Sequence, residues 1–409
     1  MGFENSSAMK KINVFTASWG QLHGRHSNMG DIIIFEALVD ILKSIKSVGR
    51  IYCYSSDPSY TDERYDVQST NPFTLKGLLR TIRNLHRSEL VLLGGGELVQ
   101  TQSSFLYLVA NLAPGLLSWI FGSRCLAVGV GIANEGEISR IGRIIARFVL
   151  NRIDRICVRE RTSFRNALDI GIKHKKLMLT ADLAFHFANL KMLFPPSRIR
   201  PQTILLCPRY TKKRHGDFLP SWIKRKLNRK IIDQDFHASA TCFADLLNQL
   251  CNSYKVIILP VYQSRNSSSE DTLFAHKIVE TAGFPDNAEI YEGAITTDAI
   301  MRLMSKIDVV VAVPLHGLIM AAVNRKPMIA LVYASKCENF MVELELKPNL
   351  IIQYDQEKIL NIDLRNHAIQ NCINRNREFG CRFEKSVSIL IHRHNQTIQN
   401  IKTEILEIL

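Results

Sequence analysis

The segment Asp308-Val309-Val310-Val311-Ala312-Val313-Pro314-Leu315-His316-Gly317-Leu318 decides the fold class of this chain. Its first half is an apolar run of strand length, and its second half opens a stretch of helical length at residues 315–324. A buried strand that leads directly into a helix is part of a parallel β-α-β unit. The segment therefore predicts an α/β fold in which His316 stands where a helix begins.

The same alternation of strand-length and helix-length segments recurs along the chain. Residues 11–17 predict a first strand, residues 31–45 predict a first helix, and a second series starts with a strand at residues 203–207. A proline-containing break over residues 191–202 separates the two series, and 409 residues exceed the roughly 100–200 residues of an ordinary domain. We predict two Rossmann-like α/β domains facing a cleft, at residues 1–195 and 196–350, followed by a helical segment at residues 351–409.

Composition predicts a globular protein with anionic partners. Hydrophobic residues make up 46% of the chain and charged residues 22%, which excludes a disordered chain. The formal net charge of +14 favours phosphorylated substrates, acidic lipid headgroups or nucleic acid, but the chain has no compact nucleic-acid motif, so we predict no nucleic-acid partner. The nine cysteines are scattered without a C-x-x-C pair, and residues 1–11 lack a signal-peptide core, which favours the reducing cytoplasm.

Two segments raise the question of membrane contact. Residues 105–121 are apolar but contain Pro114-Gly115 and fall short of the roughly 20 residues of a membrane span, so we predict a buried helix pair there. Residues 212–230 are basic, with Phe218 and Trp222 interleaved. They fit a solvated basic loop and helix, which is the plainer interpretation, or peripheral attachment to anionic lipid at the inner face of the membrane.

Polar residues that follow the predicted strands define the candidate site, because ligands of open α/β sheets bind at the carboxyl ends of the strands. Asn28, Gly30 and Asp31 lie where the first helix begins. They are suited either to capping the helix or to binding an anion or a sugar hydroxyl. Gly94-Gly95-Gly96-Glu97 follows a predicted strand at residues 90–93, and its glycines fit either a phosphate cradle or a tight turn.

The second group of candidates is mostly cationic. Arg159 fits either an anion site or a turn fixed by a pair with Glu160, and Arg209 ends the strand at residues 203–207, where its planar guanidinium suits a carboxylate or phosphate. His316 is suited to hydrogen bonding or proton transfer, with helix capping as the plainer interpretation. Lys336 supplies a further cation. The sequence has no His/Cys/Asp/Glu cluster with the spacing of metal ligands, so we predict no metal and no cofactor.

In their order and spacing, these motifs resemble the polysaccharide pyruvyl transferase family over most of the chain. The shared elements are N-x-G-D at residues 28–31, G-G-G-x-x at 94–98, G-x-G at 129–131, V-R-x-x-x-S at 158–163, Asp182, Arg209, the R-L-H element at 314–316 and Tyr-x-x-Lys-x-x-x-Phe at 333–340. Two positions depart from the pattern. Pro314 stands where the family has the arginine of R-L-H, and Leu183 stands where the family has a proline.

The resemblance implies a fold similar to GT-B glycosyltransferases, with the acceptor on the N-terminal side and the donor on the C-terminal side. It implies that pyruvate is transferred from phosphoenolpyruvate, as a ketal, onto two hydroxyls of one sugar of a cell-surface polysaccharide or its lipid-linked precursor. By the family pattern, Arg209, Leu315 and His316 contact the donor. Pro314 removes one cation of that site; either Lys336 or Arg325 replaces it, or the donor differs, or activity is lost.

These residues lead to an assignment of roles. We assign Arg209 to the carboxylate or phosphate of the donor, and His316 to contacting the donor and relaying protons, because its pKa is expected near neutrality. Asp31 and Glu97 are candidates for orienting or deprotonating the acceptor. The predicted acceptor-binding residues are Asn28, Gly30, Asp31, Gly95, Gly96 and Glu97.

Two other functions remain open. A GT-B-like glycosyltransferase that uses a nucleotide sugar would explain two domains and the basic charge, but it would not explain the ordered motifs. A non-catalytic relative that binds glycan would explain Pro314. Binding of phosphoenolpyruvate or of a nucleotide sugar distinguishes the first alternative from a pyruvyl transferase.

Overall fold

The computed structural model describes residues 10–17, 28–189, 202–210, 232–263, 270–346, 350–353 and 380–409. Within them, the chain forms two parallel β-sheets, each with its own helices. The prediction of an α/β fold with two such units is confirmed. The predicted boundary between residues 195 and 196 and the basic tract at 212–230 lie outside the described residues, so both stay predictions.

The first sheet and its helices are called the first lobe. The sheet has seven strands in the order β3-β2-β1-β4-β5-β6-β7, and every pairing is parallel. The strands are β1 (Ile12–Thr16), β2 (Val48–Tyr54), β3 (Gln68–Thr70), β4 (Leu90–Val99), β5 (Arg124–Ile132), β6 (Arg155–Val158) and β7 (Leu177–Leu179). The helices are α1 (Met29–Lys43), α2 (Pro58–Tyr65), α3 (Leu75–His86), α4 (Phe105–Phe121), α5 (Arg140–Leu150) and α6 (Arg161–Asp169).

The second sheet and its helices are called the second lobe. The sheet has six parallel strands in the order β10-β9-β8-β11-β12-β13. The strands are β8 (Thr203–Cys207), β9 (Lys255–Ile258), β10 (Ala288–Ile290), β11 (Val309–Ala312), β12 (Met328–Val332) and β13 (Ile351–Gln353). The helices are α7 (Ile232–Cys251), α8 (Glu270–Thr281), α9 (Thr297–Ser305), α10 (Leu315–Val323) and α11 (Ser335–Glu343).

Both sheets reverse their strand order beside their first strand. In the first lobe β1 lies between β2 and β4, and in the second lobe β8 lies between β9 and β11. Ligands of doubly wound sheets bind at the carboxyl ends of the strands beside such a reversal. The segments that follow β1 and β8 therefore mark the place where a site is expected, and they lead to α1 and to Arg209 respectively.

Helix α1 stands at the contact between the lobes. Most of its side chains are buried, as expected for a helix that is apolar on nearly all sides. At its start, the backbone N–H of Met29 donates to the carbonyl oxygen of Val261 at 2.9 Å. Further along, the Glu36 carboxylate accepts the backbone N–H of Thr297 at 2.9 Å. A helix of the first lobe is thus fixed directly to the segment after β9 and to the start of α9 in the second lobe.

A long helix, α12 (Gly380–Ile408), runs from the second lobe back to the first. Near its start, Glu384 Oε2 lies 2.9 Å from Arg325 Nε, just after α10. Near its end, the buried Glu404 places Oε1 2.6 Å from Arg155 Nε, at the start of β6. The predicted helical character of the C-terminal segment is confirmed over these residues, and α12 connects the two lobes.

Two local predictions are corrected by the structure. Residues 105–121 form a single helix, α4, rather than a buried helix pair, because residues on both sides of Pro114 are buried, Leu112 before it and Ser118 after it, and this packing holds the helix in spite of the hydrogen bond that a proline removes. Strand β4 does not stop before the three glycines but continues to Val99, because β5 pairs with it beyond Leu93. Among the described residues, none of the helices is long and apolar enough to cross a membrane.

Candidate active site

Helices α1 and α10 approach each other at their starts, where Gly30 packs against His316. The N-cap residue Asn28 accepts the backbone N–H of Gly30 through Oδ1 at 3.2 Å, so the capping role of Asn28 is present in the structure. A Cβ added to Gly30 would lie 1.9 Å from Nδ1 of His316. Only a glycine lets the start of α1 approach the start of α10 this closely.

We expect Gly30→Ala to lower the free energy of unfolding by about 1–3 kcal/mol, because the new methyl group overlaps the imidazole of His316. Gly136→Ala is the matched control, since a Cβ there meets nothing within 4 Å and the change should stay within about 0.5 kcal/mol. Denaturant unfolding of both variants measures the difference. Equal stability of the two variants would contradict the packing of Gly30 on His316.

Asp182 joins His316 to Arg159. Its Oδ2 lies 3.5 Å from Nη1 of Arg159 and 3.9 Å from Nε2 of His316, and its side chain is 3% exposed. The backbone N–H of Ala184 donates to Oδ1 at 3.0 Å, which fixes the carboxylate. Arg159 also lies beside Glu160, with 3.5 Å between Nε and Oε2. The interpretation of Arg159 as the partner of Glu160 is present in the structure, and its role as an anion site stays a prediction.

The guanidinium of Arg209 is held by a buried carboxylate. Arg209 Nη2 and Nε lie 2.9 and 3.3 Å from Oδ2 of Asp271, which also accepts the backbone N–H of Tyr262 at 3.0 Å. The Tyr333 hydroxyl is a further partner of Arg209. The side chain of Arg209 remains 21% exposed, so the guanidinium is fixed in direction while part of it faces the cleft.

Lys336, near the start of α11, reaches the first lobe. Its Nζ lies 3.4 Å from Oε2 of Glu97, and both side chains are 24% exposed. The Tyr107 hydroxyl donates to the backbone carbonyl of Glu97 at 3.4 Å. Burial raises the pKa of Tyr107 to about 12, so the phenol stays protonated at neutral pH. The predicted donor cation and the predicted acceptor carboxylate are therefore partners across the cleft.

Asp31 lies between these charged groups and titrates near neutrality. Burial raises the pKa of its carboxyl from 3.8 to about 6, although the cations Arg209 and Lys336 lower it, and the neighbouring Asp182 adds to the rise. The first-turn position in α1 also favours the carboxylate. The effect of burial thus exceeds these opposing effects, and Asp31 shares its proton with solvent close to pH 6.

The pKa of His316 moves in the opposite direction. Burial lowers it from 6.5 to about 4, and Arg159, Lys336 and Arg209 lower it further, while Asp182 opposes them. The expectation of a near-neutral pKa is therefore wrong for the ligand-free protein, because three cations surround a buried ring. Its Nε2 is buried without a hydrogen-bond partner among the described residues. At neutral pH the imidazole is uncharged and available as a proton acceptor.

Three helices begin at this cluster without a side-chain cap. The N-cap residues of α6, α10 and α11 are Glu160, Pro314 and Ala334, and none of their side chains accepts a backbone N–H of its own helix. The first backbone N–H groups of a helix carry partial positive charge and are suited to anions. Together with Arg159, Arg209 and Lys336, they make this part of the cleft suited to an anionic ligand.

The remaining predicted residues lie at the edge of the cluster. Leu315 is buried in the first turn of α10 and packs in the core. Gly95 and Gly96 lie within β4 with positive φ values of 38° and 83°. A Cβ on Gly95 would lie 2.4 Å from Ile34 of α1, so this glycine permits packing of strand on helix. A Cβ on Gly96 meets nothing within 4 Å, which leaves its backbone open.

Sequence reasoning named Asp182 only as part of a motif and did not identify Asp271 at all. Asp182 had a signal, since it follows the predicted strand pattern in Thr180-Ala181-Asp182. Asp271 had none, because it lies 62 residues after Arg209, on α8, whereas Arg209 follows β8. No group of three or more His, Cys, Asp or Glu side chains among the described residues is placed to hold a metal ion. That catalysis needs no metal stays a prediction.

Comparison with known proteins gives one family and one fold. A family model described as polysaccharide pyruvyl transferase matches residues 28–335. No curated protein sequence matches the chain.

Among solved structures, S. aureus MnaA with UDP is 12% identical, with a TM-score of 0.61 and 98% of each chain covered. Neisseria meningitidis UDP-GlcNAc 2-epimerase bound to UDP-GlcNAc is 12% identical, with a TM-score of 0.57 over 98% of this chain and 100% of that one. Anabaena Alr3699/HepE in complex with UDP and glucose is 14% identical, with a TM-score of 0.55 over 97% and 100%. At these identities the likeness concerns the fold, which is GT-B-like.

Proposed function

Because the chain belongs to the polysaccharide pyruvyl transferase family, we propose that it transfers pyruvate from phosphoenolpyruvate, as a cyclic ketal, onto a sugar. The family makes it a transferase of polysaccharide biosynthesis. One observation supports this donor and this reaction above the others. Asp31, with a pKa that burial raises to about 6, lies within reach of the charges of Arg209 and Lys336, and Gly30 beside it in the chain packs on His316.

The donor requires cations because it carries both a carboxylate and a phosphate. Arg209 offers a planar fork to one of them and Lys336 a point charge to the other. Pro314 supplies no charge, and we assign the missing contact to Arg159 rather than to Lys336 alone. Nη2 of Arg159 is buried without a hydrogen-bond partner in the part of the chain that the structure describes.

Each of these cations already has an acidic partner, so the donor must compete for it. Arg209 is paired with Asp271, and Lys336 with Glu97. An incoming trianion raises the pKa of nearby acids and of His316, because it stabilises their protonated forms. Donor binding is therefore coupled to uptake of a proton, and Asp31 is the group whose pKa already lies close enough to neutrality to take it.

The reaction adds one proton to the donor and removes two from the sugar. Protonation converts the methylene carbon of phosphoenolpyruvate to a methyl group and leaves a carbocation-like centre on the adjacent carbon. One sugar oxygen bonds to that carbon, the bond to the phosphate oxygen breaks with its electron pair leaving on phosphate, and the second sugar oxygen closes the ring. One of the two hydroxyl protons balances the proton added to the donor, and the other leaves with inorganic phosphate.

The raised pKa of Asp31 and the lowered pKa of His316 suit the two residues to different proton transfers. We assign protonation of the methylene carbon to Asp31, which holds a proton below about pH 6 and at higher pH once the donor is bound. We assign acceptance of a sugar hydroxyl proton to His316, which is neutral above about pH 4. Asp182, close to Nε2 of His316, stabilises the imidazolium that forms. This arrangement reverses the role in which His316 supplies the proton.

The acceptor side is assigned to the first lobe. Glu97 and the open backbone at Gly96 face the cleft from β4 and are suited to sugar hydroxyls. We take the acceptor to be a sugar of a cell-surface polysaccharide or of its lipid-linked precursor. We assign the reaction to the cytoplasm, which is consistent with free thiols at the seven cysteines whose side chains the structure describes.

We expect Arg209→Lys to weaken phosphoenolpyruvate binding about 10-fold to 100-fold while the protein stays folded. Lysine keeps the positive charge beside Asp271 but loses the planar fork that holds a carboxylate or phosphate at two points. Titration calorimetry of the wild type and the variant measures the change. Arg302→Lys on α9, where the arginine is exposed, is the matched control and should bind like the wild type. Equal affinity for Arg209→Lys would remove Arg209 from the donor site.

The function itself is tested by mixing the protein with phosphoenolpyruvate and sugar acceptors. Release of inorganic phosphate together with a ketal methyl signal in the proton NMR spectrum of the sugar is the expected result. Saturable binding of UDP-glucose or UDP-N-acetylglucosamine without binding of phosphoenolpyruvate would replace the proposal by a nucleotide-sugar enzyme. Glycan binding with neither donor bound would make the protein a non-catalytic relative, in keeping with Pro314.

A further inference from the structure

The largest set of exposed apolar side chains lies on one side of the first lobe, on the helices that follow β3, β4 and β5. Of the 19 large apolar residues that are exposed in the described part of the chain, 12 lie on α3, α4, α5 or just before α3. Surface apolar residues that occur singly are ordinary, but a contiguous group marks an interaction site. Those on and before α3 are Phe73, Leu75, Leu78, Leu79 and Ile82, exposed by 37–76%.

The three helices form one continuous surface. The ring of His86, at the end of α3, contacts the ring of Phe121, at the end of α4, with centroids 5.2 Å apart. The guanidinium of Arg152 lies 5.0 Å from the ring of Trp119 on α4 and 3.5 Å from the ring of Phe148 on α5. The exposed apolar residues of α4 and α5 are Leu106, Val109, Trp119, Ile120, Ile141, Ile144 and Phe148. The outer side of α3, α4 and α5 is called the apolar-basic face.

The charges of the apolar-basic face are all of one sign. Helices α3, α4 and α5 contain no Asp or Glu, and α4 contains no charged residue at all. Helices α3 and α5 each contribute three cations, and only Arg143 among them has an ion pair in the described part of the chain, with Glu135. The six cations are Lys76, Arg80, Arg83, Arg140, Arg143 and Arg147.

From this juxtaposition we infer that the apolar-basic face docks the protein peripherally on an anionic lipid bilayer. Leu, Ile, Phe and Trp side chains interleaved with Arg and Lys on amphipathic helices are typical of segments that lie in the membrane interface. The apolar side chains enter the boundary between headgroups and acyl chains, and the cations face anionic headgroups. A second copy of the chain is a poor occupant, because a two-fold contact through this face would bring the six cations of each copy together.

The apolar-basic face reaches the cleft through α4. Tyr107, in the first turn of α4, donates its hydroxyl to the backbone carbonyl of Glu97. The exposed Leu106 and Val109 flank it on the same helix. A bilayer on this face would therefore lie close to Glu97, the side of the cleft assigned to the acceptor. Lipid binding itself does not depend on the proposed function, so each can fail without the other.

The experiment is co-sedimentation of the full chain with vesicles of phosphatidylcholine, with or without about 30 mol% phosphatidylglycerol, in about 0.05 and 0.5 M NaCl. We expect binding to the anionic vesicles only, and weaker binding at high salt. The face variant is Arg80→Gln/Arg83→Gln/Arg140→Gln, which removes three exposed cations. It should lower partitioning about a hundredfold, because each basic residue near anionic lipid contributes about a factor of five.

Matched controls separate this surface from others. Arg302→Gln/Lys306→Gln/Lys385→Gln removes the same charge from exposed positions outside the face and should cost much less binding. Leu79→Ser/Ile144→Ser should weaken binding at both salt concentrations, because the loss is apolar. Circular dichroism checks that the variants stay folded, and a blue shift of Trp119 fluorescence on binding, in a chain with the other two tryptophans changed to Phe, reports insertion directly.

Several results would overturn the inference. They are absence of the protein from the anionic-vesicle pellet at low salt, wild-type sedimentation of the face variant, and loss of binding only in Lys224→Gln/Arg225→Gln/Lys226→Gln. The last result would assign lipid binding to the basic tract at residues 212–230 instead. A dimer in solution that the face variant dissociates would assign the face to a second copy of the chain.

Discussion

Asp31→Asn is expected to lower the turnover of pyruvyl transfer by about two to four orders of magnitude, the range for loss of a general acid or base. Asparagine has the shape and the hydrogen-bonding capacity of the carboxyl group but cannot transfer a proton. The wild-type carboxyl has a pKa of about 6, so the proposed acid is protonated at lower pH and is lost as the pH rises. The wild-type turnover should therefore fall on the alkaline side, and this limb should be absent from the residual activity of the variant.

The stability of Asp31→Asn should change in the opposite direction to its activity. The native state holds the Asp31 proton more tightly than an unfolded chain with its pKa of 3.8, so this group makes the free energy of unfolding fall as the pH rises from about 4 to about 6. Asparagine does not ionise, so in the variant this position no longer lowers the free energy of unfolding as the pH rises. We expect the variant to be more stable than the wild type above pH 6, by on the order of 1–3 kcal/mol.

A matched aspartate controls for effects of charge at a helix start. Asp298 lies in the first turn of α9, as Asp31 lies in the first turn of α1, but it is exposed. Asp298→Asn should leave turnover and its pH profile unchanged. The ionisation of the donor phosphate is common to all three proteins and so cannot produce a difference between them. Wild-type turnover in Asp31→Asn would remove Asp31 from the proton transfers.

His316→Asn is expected to lower turnover about a hundredfold or more, because asparagine cannot accept the hydroxyl proton. The imidazole of the ligand-free protein has a pKa of about 4, so it is uncharged over the whole physiological range. On the acid side of the pH profile, turnover of the wild type should fall as the pH drops toward that value and His316 takes up a proton. The affinity for phosphoenolpyruvate should change much less than turnover, which steady-state kinetics resolves as a change in kcat rather than in KM.

His276→Asn is the matched control for His316→Asn, since His276 is an exposed histidine on α8. It should behave as the wild type does. A second variant, Asp182→Asn, separates a chemical role of His316 from a packing role, because it leaves the ring in place and removes the carboxylate 3.9 Å from Nε2. It should lower turnover as well. Full activity in His316→Asn would end the assignment, whatever the effect of Asp182→Asn.

The sequence was sufficient for the fold because apolar runs and helix starts are local features. The strand at residues 203–207 and the helix opening at Leu315 have the predicted limits. Local features gave wrong predictions where contacts with other elements determine the length of a strand or helix. Three glycines look like the end of a strand, yet β5 pairs with β4 past them. Pro114 looks like a helix break, yet the helix is held across it.

The site was only partly predictable, because several of its properties also depend on contacts between residues far apart in the sequence. Motif order placed Asp31, Arg209 and His316 in one cleft, but nothing in it gave Asp271 as the partner of Arg209. The pKa values of Asp31 and His316 depend on burial and on cations from several segments of both lobes. A sequence reader sees a histidine and expects it to titrate near neutrality. Here Asp31 has the pKa close to neutrality, about 6, and the pKa of His316 is lowered to about 4.

The return of α12 to the first lobe also has a consequence for the synthesis of this protein. Arg155 at the start of β6 meets Glu404 only after 249 further residues have been added. At about 5–20 residues per second, a ribosome needs roughly 10–50 s for that stretch. During this interval the nascent first lobe has its strands but not the helix that packs on them. We therefore expect the newly made chain to depend on a chaperone until α12 emerges, and a ribosome stalled before it to leave an aggregation-prone fragment.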